Sequence, residues 1–138
     1  MRVVLDTNIL ISSLISALAP PAWLLDAWRA GRFILVSSNE QLEEFRAATR
    51  HPKLQAFIQR PETGRIVRQL RLHALVLERL PVVDRSIDPT DNFLLAMAEA
   101  GSADYVVSGD RRGVLALKTH GSTHIISARD MLPVLGIR

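Results

Sequence analysis

Four carboxylates stand where chemistry could use them. Asp6 directly follows the apolar run Val3-Val4-Leu5, and Asp110 follows Val106-Val107-Ser108-Gly109. Asp91 is the third residue of a helix that Asp88 caps and Pro89 opens, and Glu44 lies at the margin of the stripe Leu42, Phe45, Ala48 and Thr49. An acid just past a buried strand faces the carboxyl edge of the sheet, where open α/β folds bind ligands. Capping the helix that begins near Ile9 is the plainer role for Asp6 and accounts for it equally well. Acids gathered in one pocket repel one another and stay ionised only beside a cation. The chain has no cysteine, and His51, His73, His120 and His124 show no close zinc spacing, so the donors on offer are hard oxygens. Such donors suit Mg²⁺ or Mn²⁺. Thr7, Asn8, Asn92 and Ser108 are the neutral groups beside these acids that can orient them.

The elements that must bring the acids together read as alternating strands and helices. Val3–Leu5, Phe33–Val36, Asp104–Ser108 and His124–Ile126 are short apolar runs of the kind buried on both sheet faces. Between them, Pro20 and Pro21 open a helix that Gly31 stops, and a second runs from Glu40 to Thr49. A short helix over Pro52–Gln59 turns Leu54, Phe57 and Ile58 inward. The longest helical pattern starts at Pro61 and continues through Leu77. Asn92–Ala100 carries the helix that Gly101 ends, and Ala128–Leu135 is the last. With no hairpin signal, the order implies one domain over residues 1–138, a three-layer α/β/α sandwich around a central parallel sheet.

Composition narrows the field further. At 138 residues and 48% hydrophobic, the chain fits one domain with a substantial core. The absence of cysteine excludes disulfides and a thiol nucleophile, and no G-x-S-x-G elbow exists for serine catalysis. No long apolar segment or leader-like start is visible, so the expectation is a cytoplasmic protein without a membrane partner. Net charge is +3, and Lys53 and Lys118 are the only lysines among 17 basic residues. Guanidinium forks grip phosphate oxygens two at a time, which permits a polyanionic partner without requiring one.

In order along the chain, Val3-Val4-Leu5-Asp6-Thr7-Asn8, Leu42-Glu43-Glu44-Phe45, Asp88-Pro89-Thr90-Asp91-Asn92 and Val106-Val107-Ser108-Gly109-Asp110 resemble the motifs of PIN domains. The closest likeness is to the bacterial subgroup of toxin components of toxin-antitoxin pairs, and it spans essentially the whole chain. The resemblance implies a PIN-like fold and an Mg²⁺- or Mn²⁺-dependent ribonuclease with one or two ions. Its acidic site would be Asp6, Glu44, Asp91 and Asp110. Asp6 and Asp91 would be the main ligands, Asp110 a further one, and Glu44 a ligand or the group orienting the attacking water. The implied partners are RNA, a small antitoxin protein and a second copy in a homodimer. Arg46, Arg50, Lys53, Arg111, Arg112 and Lys118 flank the motifs and are the candidates for contacts to the RNA backbone.

One departure stands out. Where such domains commonly carry Gly-Asp-x-Asp, this chain has Gly109-Asp110-Arg111-Arg112. Exchanging a carboxylate for Arg112 keeps open the alternative of a catalytically weak or inactive PIN-like module that binds RNA or protein. A second rival, an aspartyl-phosphate enzyme with Asp6 as nucleophile, is disfavoured by Asn8 and by the lack of a lysine near Ser108.

Overall fold

In a computed structural model that describes residues 1–137, the chain alternates as its apolar runs imply. Strand β1 (Arg2–Leu5) leads into α1 (Thr7–Ile15) and α2 (Pro20–Arg29), and β2 (Ile34–Ser38) into α3 (Asn39–Thr49), α4 (Pro52–Gln55) and α5 (Arg60–His73). There follow β3 (Leu75–Leu77), α6 (Pro89–Ala100), β4 (Tyr105–Val107), a turn of 3-10 helix (Val114–Leu117), β5 (Thr119–His120), β6 (Thr123–Ile126) and α7 (Ala128–Val134). The six strands lie in the order β3-β2-β1-β4-β6-β5. All neighbouring pairs are parallel except β5 with β6.

The sheet is buried on both faces, which is why its strands are continuously apolar rather than alternating. Val3, Leu5, Leu35 and Val107 face one core, shared with Leu10, Leu24, Phe45, Ile66, Leu70 and Met131 from the helices. Val4, Val36, Val106 and Ile125 face the other, filled by Leu94, Leu95 and Met97 of α6 and by Val114. Each fully buried Leu, Met or Phe contributes about 1.5–3 kcal/mol, so these two layers fix β1 and β4 side by side. That pairing delivers Asp6 and Ser108 to the same edge, where the Asp6 N–H donates to the Val107 carbonyl at 2.9 Å.

The sequence expectations need correction in three places. The helix read through Leu77 ends at His73; Ala74 is extended, and Leu75-Val76-Leu77 instead pairs with β2 as the outer strand. A short apolar run cannot be told from a helix segment by periodicity alone, and here the free edge of β2 decides it. Leu72, one of the apolar residues within that pattern, is 70% exposed. Phe57 is 64% exposed, although Ile58 beside it is buried, because α4 stops at Gln55 and the chain turns before it can present a helical face. Finally, Thr119–His120 and Thr123–Ile126 form an antiparallel hairpin, so the sheet is mixed. Gly121, at φ +59°, makes the two-residue turn that no larger side chain favours. Among the described residues no single helix is long and apolar enough to cross a membrane.

Candidate metal centre

Three of the acids meet at the carboxyl edge. Asp88, Asp91 and Asp110 each present an oxygen within 4.8 Å of the others. Each has one carboxylate oxygen already held by the protein. Asp88 Oδ1 accepts the Thr90 N–H at 2.9 Å, Asp91 Oδ2 the Ser86 hydroxyl at 3.0 Å, and Asp110 Oδ1 the Gly113 N–H at 3.0 Å. These bonds fix the carboxylates in place while leaving the second oxygen of each uncommitted among the described residues. Three oriented hard oxygens suit Mg²⁺ or Mn²⁺, whose remaining octahedral positions water would fill. A pocket of about 430 Å³ opens onto them, lined also by Ser86, Ile87, Arg112 and Gly113.

Asp6, expected as a main ligand, lies outside that 4.8 Å group but close beside it. Its Oδ2 accepts the Ser108 hydroxyl at 2.8 Å, and its Oδ1 accepts the Asn8 N–H at 3.3 Å as the cap of α1. The capping role of Asp6 therefore holds, while its other oxygen is held by Ser108 beside the acidic group. Ser108 Oγ also accepts the Asp110 N–H at 3.1 Å, so one buried hydroxyl ties the two strand-end acids together. Burial raises the Asp6 pKa; its two hydrogen bonds oppose this, and the charges of Asp110 and Asp91 reinforce it. Glu44 is exposed as a residue, yet its carboxyl lies within reach of the Thr7 hydroxyl on α1. There, loss of water raises its pKa first and the charge of Asp6 second, while the Thr7 hydroxyl acts the other way. The chain thus runs Glu44, Asp6, then Asp91 and Asp110.

Of the four neutral groups named from the sequence, Ser108 holds the strand-end acids directly, whereas Asn8 and Asn92 act less directly than expected. Thr7 Oγ1 meets Gln41 Nε2 at 3.5 Å, and Asn8 supplies only its backbone N–H. The Asn92 side chain makes no hydrogen bond to a carboxylate among the described residues. It accepts from the Arg85 and Ser86 N–H groups at 3.0 and 2.8 Å and donates to the Ser86 carbonyl at 2.7 Å. That three-bond clip holds Ser86, whose hydroxyl in turn holds Asp91.

Sequence reasoning missed four contributors. Asp88 read only as a cap, and Ser86 carried no motif. Gln41, 1% exposed, bridges the strand ends by donating to the Leu5 carbonyl at 2.6 Å and accepting from the Ser37 hydroxyl at 2.7 Å. Gly113 matters for what it lacks, since a Cβ there would collide with the Asp110 carboxylate and come within 3.1 Å of Asp91 Oδ1. Of these, Gly113 alone could have been suspected, as the small residue after a loop acid.

The basic residues named from the sequence lie in several places. Arg112 lines the acidic pocket without ion-pairing to it among the described residues. Arg46 and Arg50 border a different cavity on α3, and Lys53, Arg111 and Lys118 are exposed.

A mixed, mainly parallel sheet between helix layers, with carboxylates converging past the ends of its central strands, defines an α/β protein with an acid-lined site at the sheet's carboxyl edge. The sequence profile of the PIN domain family matches residues 2–112, and the chain belongs to that family. PIN domains are generally metal-dependent nucleases, and the acidic cluster found here is a possible metal site. No curated protein matches the chain.

Proposed function

We propose that this protein is an Mg²⁺- or Mn²⁺-dependent endoribonuclease that hydrolyses RNA phosphodiester bonds and serves as the toxin of a toxin-antitoxin pair. The observation that supports it most is the convergence of Asp88, Asp91 and Asp110 within 4.8 Å, beside Asp6. On this reading Asp88, Asp91 and Asp110 hold one ion through their uncommitted oxygens, with Asp6 adding charge and a further oxygen. When bound, the ion supplies positive charge for the phosphate oxygens and acidity to nearby water. Glu44, its pKa raised, orients the attacking water and accepts its proton as the new phosphorus–oxygen bond forms and the opposite one breaks. Ser108, Ser86 and the Asn92 clip keep the carboxylates aimed throughout. Arg112, alone of the flanking cations in lining the pocket, grips a phosphate oxygen of the strand. The proposal extends to a cytoplasmic homodimer held inactive by a small antitoxin protein.

Arg112 also favours a second reading, a PIN-like module that binds RNA or protein without turnover, because a guanidinium in an acidic pocket competes with a cation for the same charges. One assay separates the two. RNA incubated with Mg²⁺ or Mn²⁺ is cleaved by the wild type, and cleavage is lost with chelator and in Asp6→Asn. Under the second reading the wild type cleaves nothing, binding survives both treatments, and Arg112→Asp gains ion affinity.

A further inference from the structure

We propose that the cavity between α3, α4 and α5 is a nucleotide subsite, taking one base with its phosphate, apart from the acidic pocket. The inference rests on the ribonuclease reading and deepens it by naming how a single strand is held. The cavity measures about 730 Å³, and Ile58 and Val67, 7% and 2% exposed, are the buried apolar part of its lining. Arg46 borders it from α3, Arg50 from the C-cap of that helix, and Phe57 from the turn after α4 with 64% of its surface in water.

Taken together these features match an anion that carries a flat ring. The ion pairs among the described residues are Asp26–Arg29, Glu62–Arg65 and Glu99–His120, so neither Arg46 nor Arg50 has a carboxylate partner. Gln55 uses its Nε2 on the Arg50 carbonyl at 3.2 Å, which leaves its Oε1 for a base edge. Paired guanidiniums suit one phosphate group, an exposed aromatic suits a stacked base, and the apolar lining accepts the ring edge. An acidic peptide would satisfy the arginines but leave Phe57 unexplained.

The cavity's place on α3 gives it a role in substrate recognition. At ~100° per residue, Arg46 and Arg50 stand about 200° and 240° around α3 from Glu44. They therefore flank the side away from Asp6, and a strand reaching both places must cross a helix about 10–12 Å wide. Bases paired in a duplex could not stack there. The subsite selects single strands and holds a nucleotide outside the one being cleaved.

The test uses the full chain in chelator, so that binding is read without cleavage. Fluorescence anisotropy with a labelled single-stranded RNA 12-mer is compared for wild type, Phe57→Ala, Phe57→Tyr and Arg46→Ala/Arg50→Ala, each checked by circular dichroism. Loss of the stacking ring weakens binding roughly 5- to 150-fold, and Phe57→Tyr restores it. AMP followed by NMR distinguishes the sources: shifts confined to residues 46–67 that single-stranded RNA displaces support a strand, and shifts that RNA leaves untouched support a free nucleotide in the same cavity. RNA affinity indifferent to Phe57→Ala, or a poly-glutamate peptide that binds as tightly and displaces RNA, overturns the proposal, the latter in favour of an acidic protein partner. Because binding is read without metal, Phe57-dependent binding by a protein that still cleaves no RNA once Mg²⁺ or Mn²⁺ is restored would sink the nuclease reading and leave the subsite standing.

Discussion

Replacing Ser86 by Ala tests the chain of contacts behind the metal centre. The change removes the hydroxyl that donates to Asp91 Oδ2 at 3.0 Å and that accepts the Asp88 N–H at 3.2 Å. Two of the three converging acids thus lose a fixed point in one step. Asp91 is only 4% exposed, so water cannot readily replace the lost bond. Hydrogen bonds to charged groups contribute about 1.5–3 kcal/mol, a factor of about 10–150 in an equilibrium. Groups that orient metal ligands typically govern about 10- to 100-fold in affinity. Mn²⁺ titration of Ser86→Ala by calorimetry is therefore expected to show affinity reduced by one to two orders of magnitude, with Ser86→Thr close to wild type. Asn92→Ala acts through the same serine, so adding it to Ser86→Ala costs less than the sum of the two singly. An Mn²⁺ affinity within about twofold of wild type for a folded Ser86→Ala refutes the reasoning.

Gly113→Ala forces a methyl group against the Asp110 carboxylate, which the Gly113 N–H holds in place, so it is expected to abolish Mn²⁺ binding while circular dichroism stays unchanged; tight binding would show that Asp110 swings free. Gln41→Ala strands the Leu5 carbonyl and the Ser37 hydroxyl inside the protein, and urea unfolding should show a loss of about 2–4 kcal/mol, whereas less than about 1 kcal/mol would contradict those bonds. Asp6 and Glu44 bind protons more tightly in the folded chain than at their unfolded values of 3.8 and 4.5. Their contribution to metal-free stability is therefore most favourable below those unfolded values and is lost as pH rises through the raised folded ones. The chelated protein should melt higher at mildly acidic pH than at neutrality. Mn²⁺ reverses that trend because its ligands must be ionised, and Asp6→Asn flattens the metal-free profile. A profile unchanged by Asp6→Asn would mean that Asp6 titrates normally.

The central sheet and most helix ends were legible because local chemistry marks them. Val3-Val4-Leu5 and Val106-Val107 are apolar without alternation, and Asp88 and Ser38 cap α6 and α3 through their own side chains. What escaped was set by tertiary context. Leu75-Val76-Leu77 is a strand because β2 offers an open edge, and β5 has too few residues to carry a pattern of its own. At the site, the acids past strands stood out because a charge ending an apolar run is locally anomalous. Ser86 and Gln41 did not, since a hydroxyl or amide acquires its role only from partners brought near by the fold. Asp88 shows the limit of assigning one role per residue: its Oδ1 caps α6 while its carboxylate also lies within 4.8 Å of those of Asp91 and Asp110.

The claim that everything else depends on is that Asp88, Asp91 and Asp110 share a divalent ion beside Asp6. Anomalous scattering from crystals grown with Mn²⁺ addresses it without reference to any substrate. The account predicts a single strong peak about 2.0–2.3 Å from one oxygen of each of the three acids, absent in Asp91→Asn crystals. A peak elsewhere in the chain, or none at Mn²⁺ concentrations that saturate calorimetric binding, would contradict it.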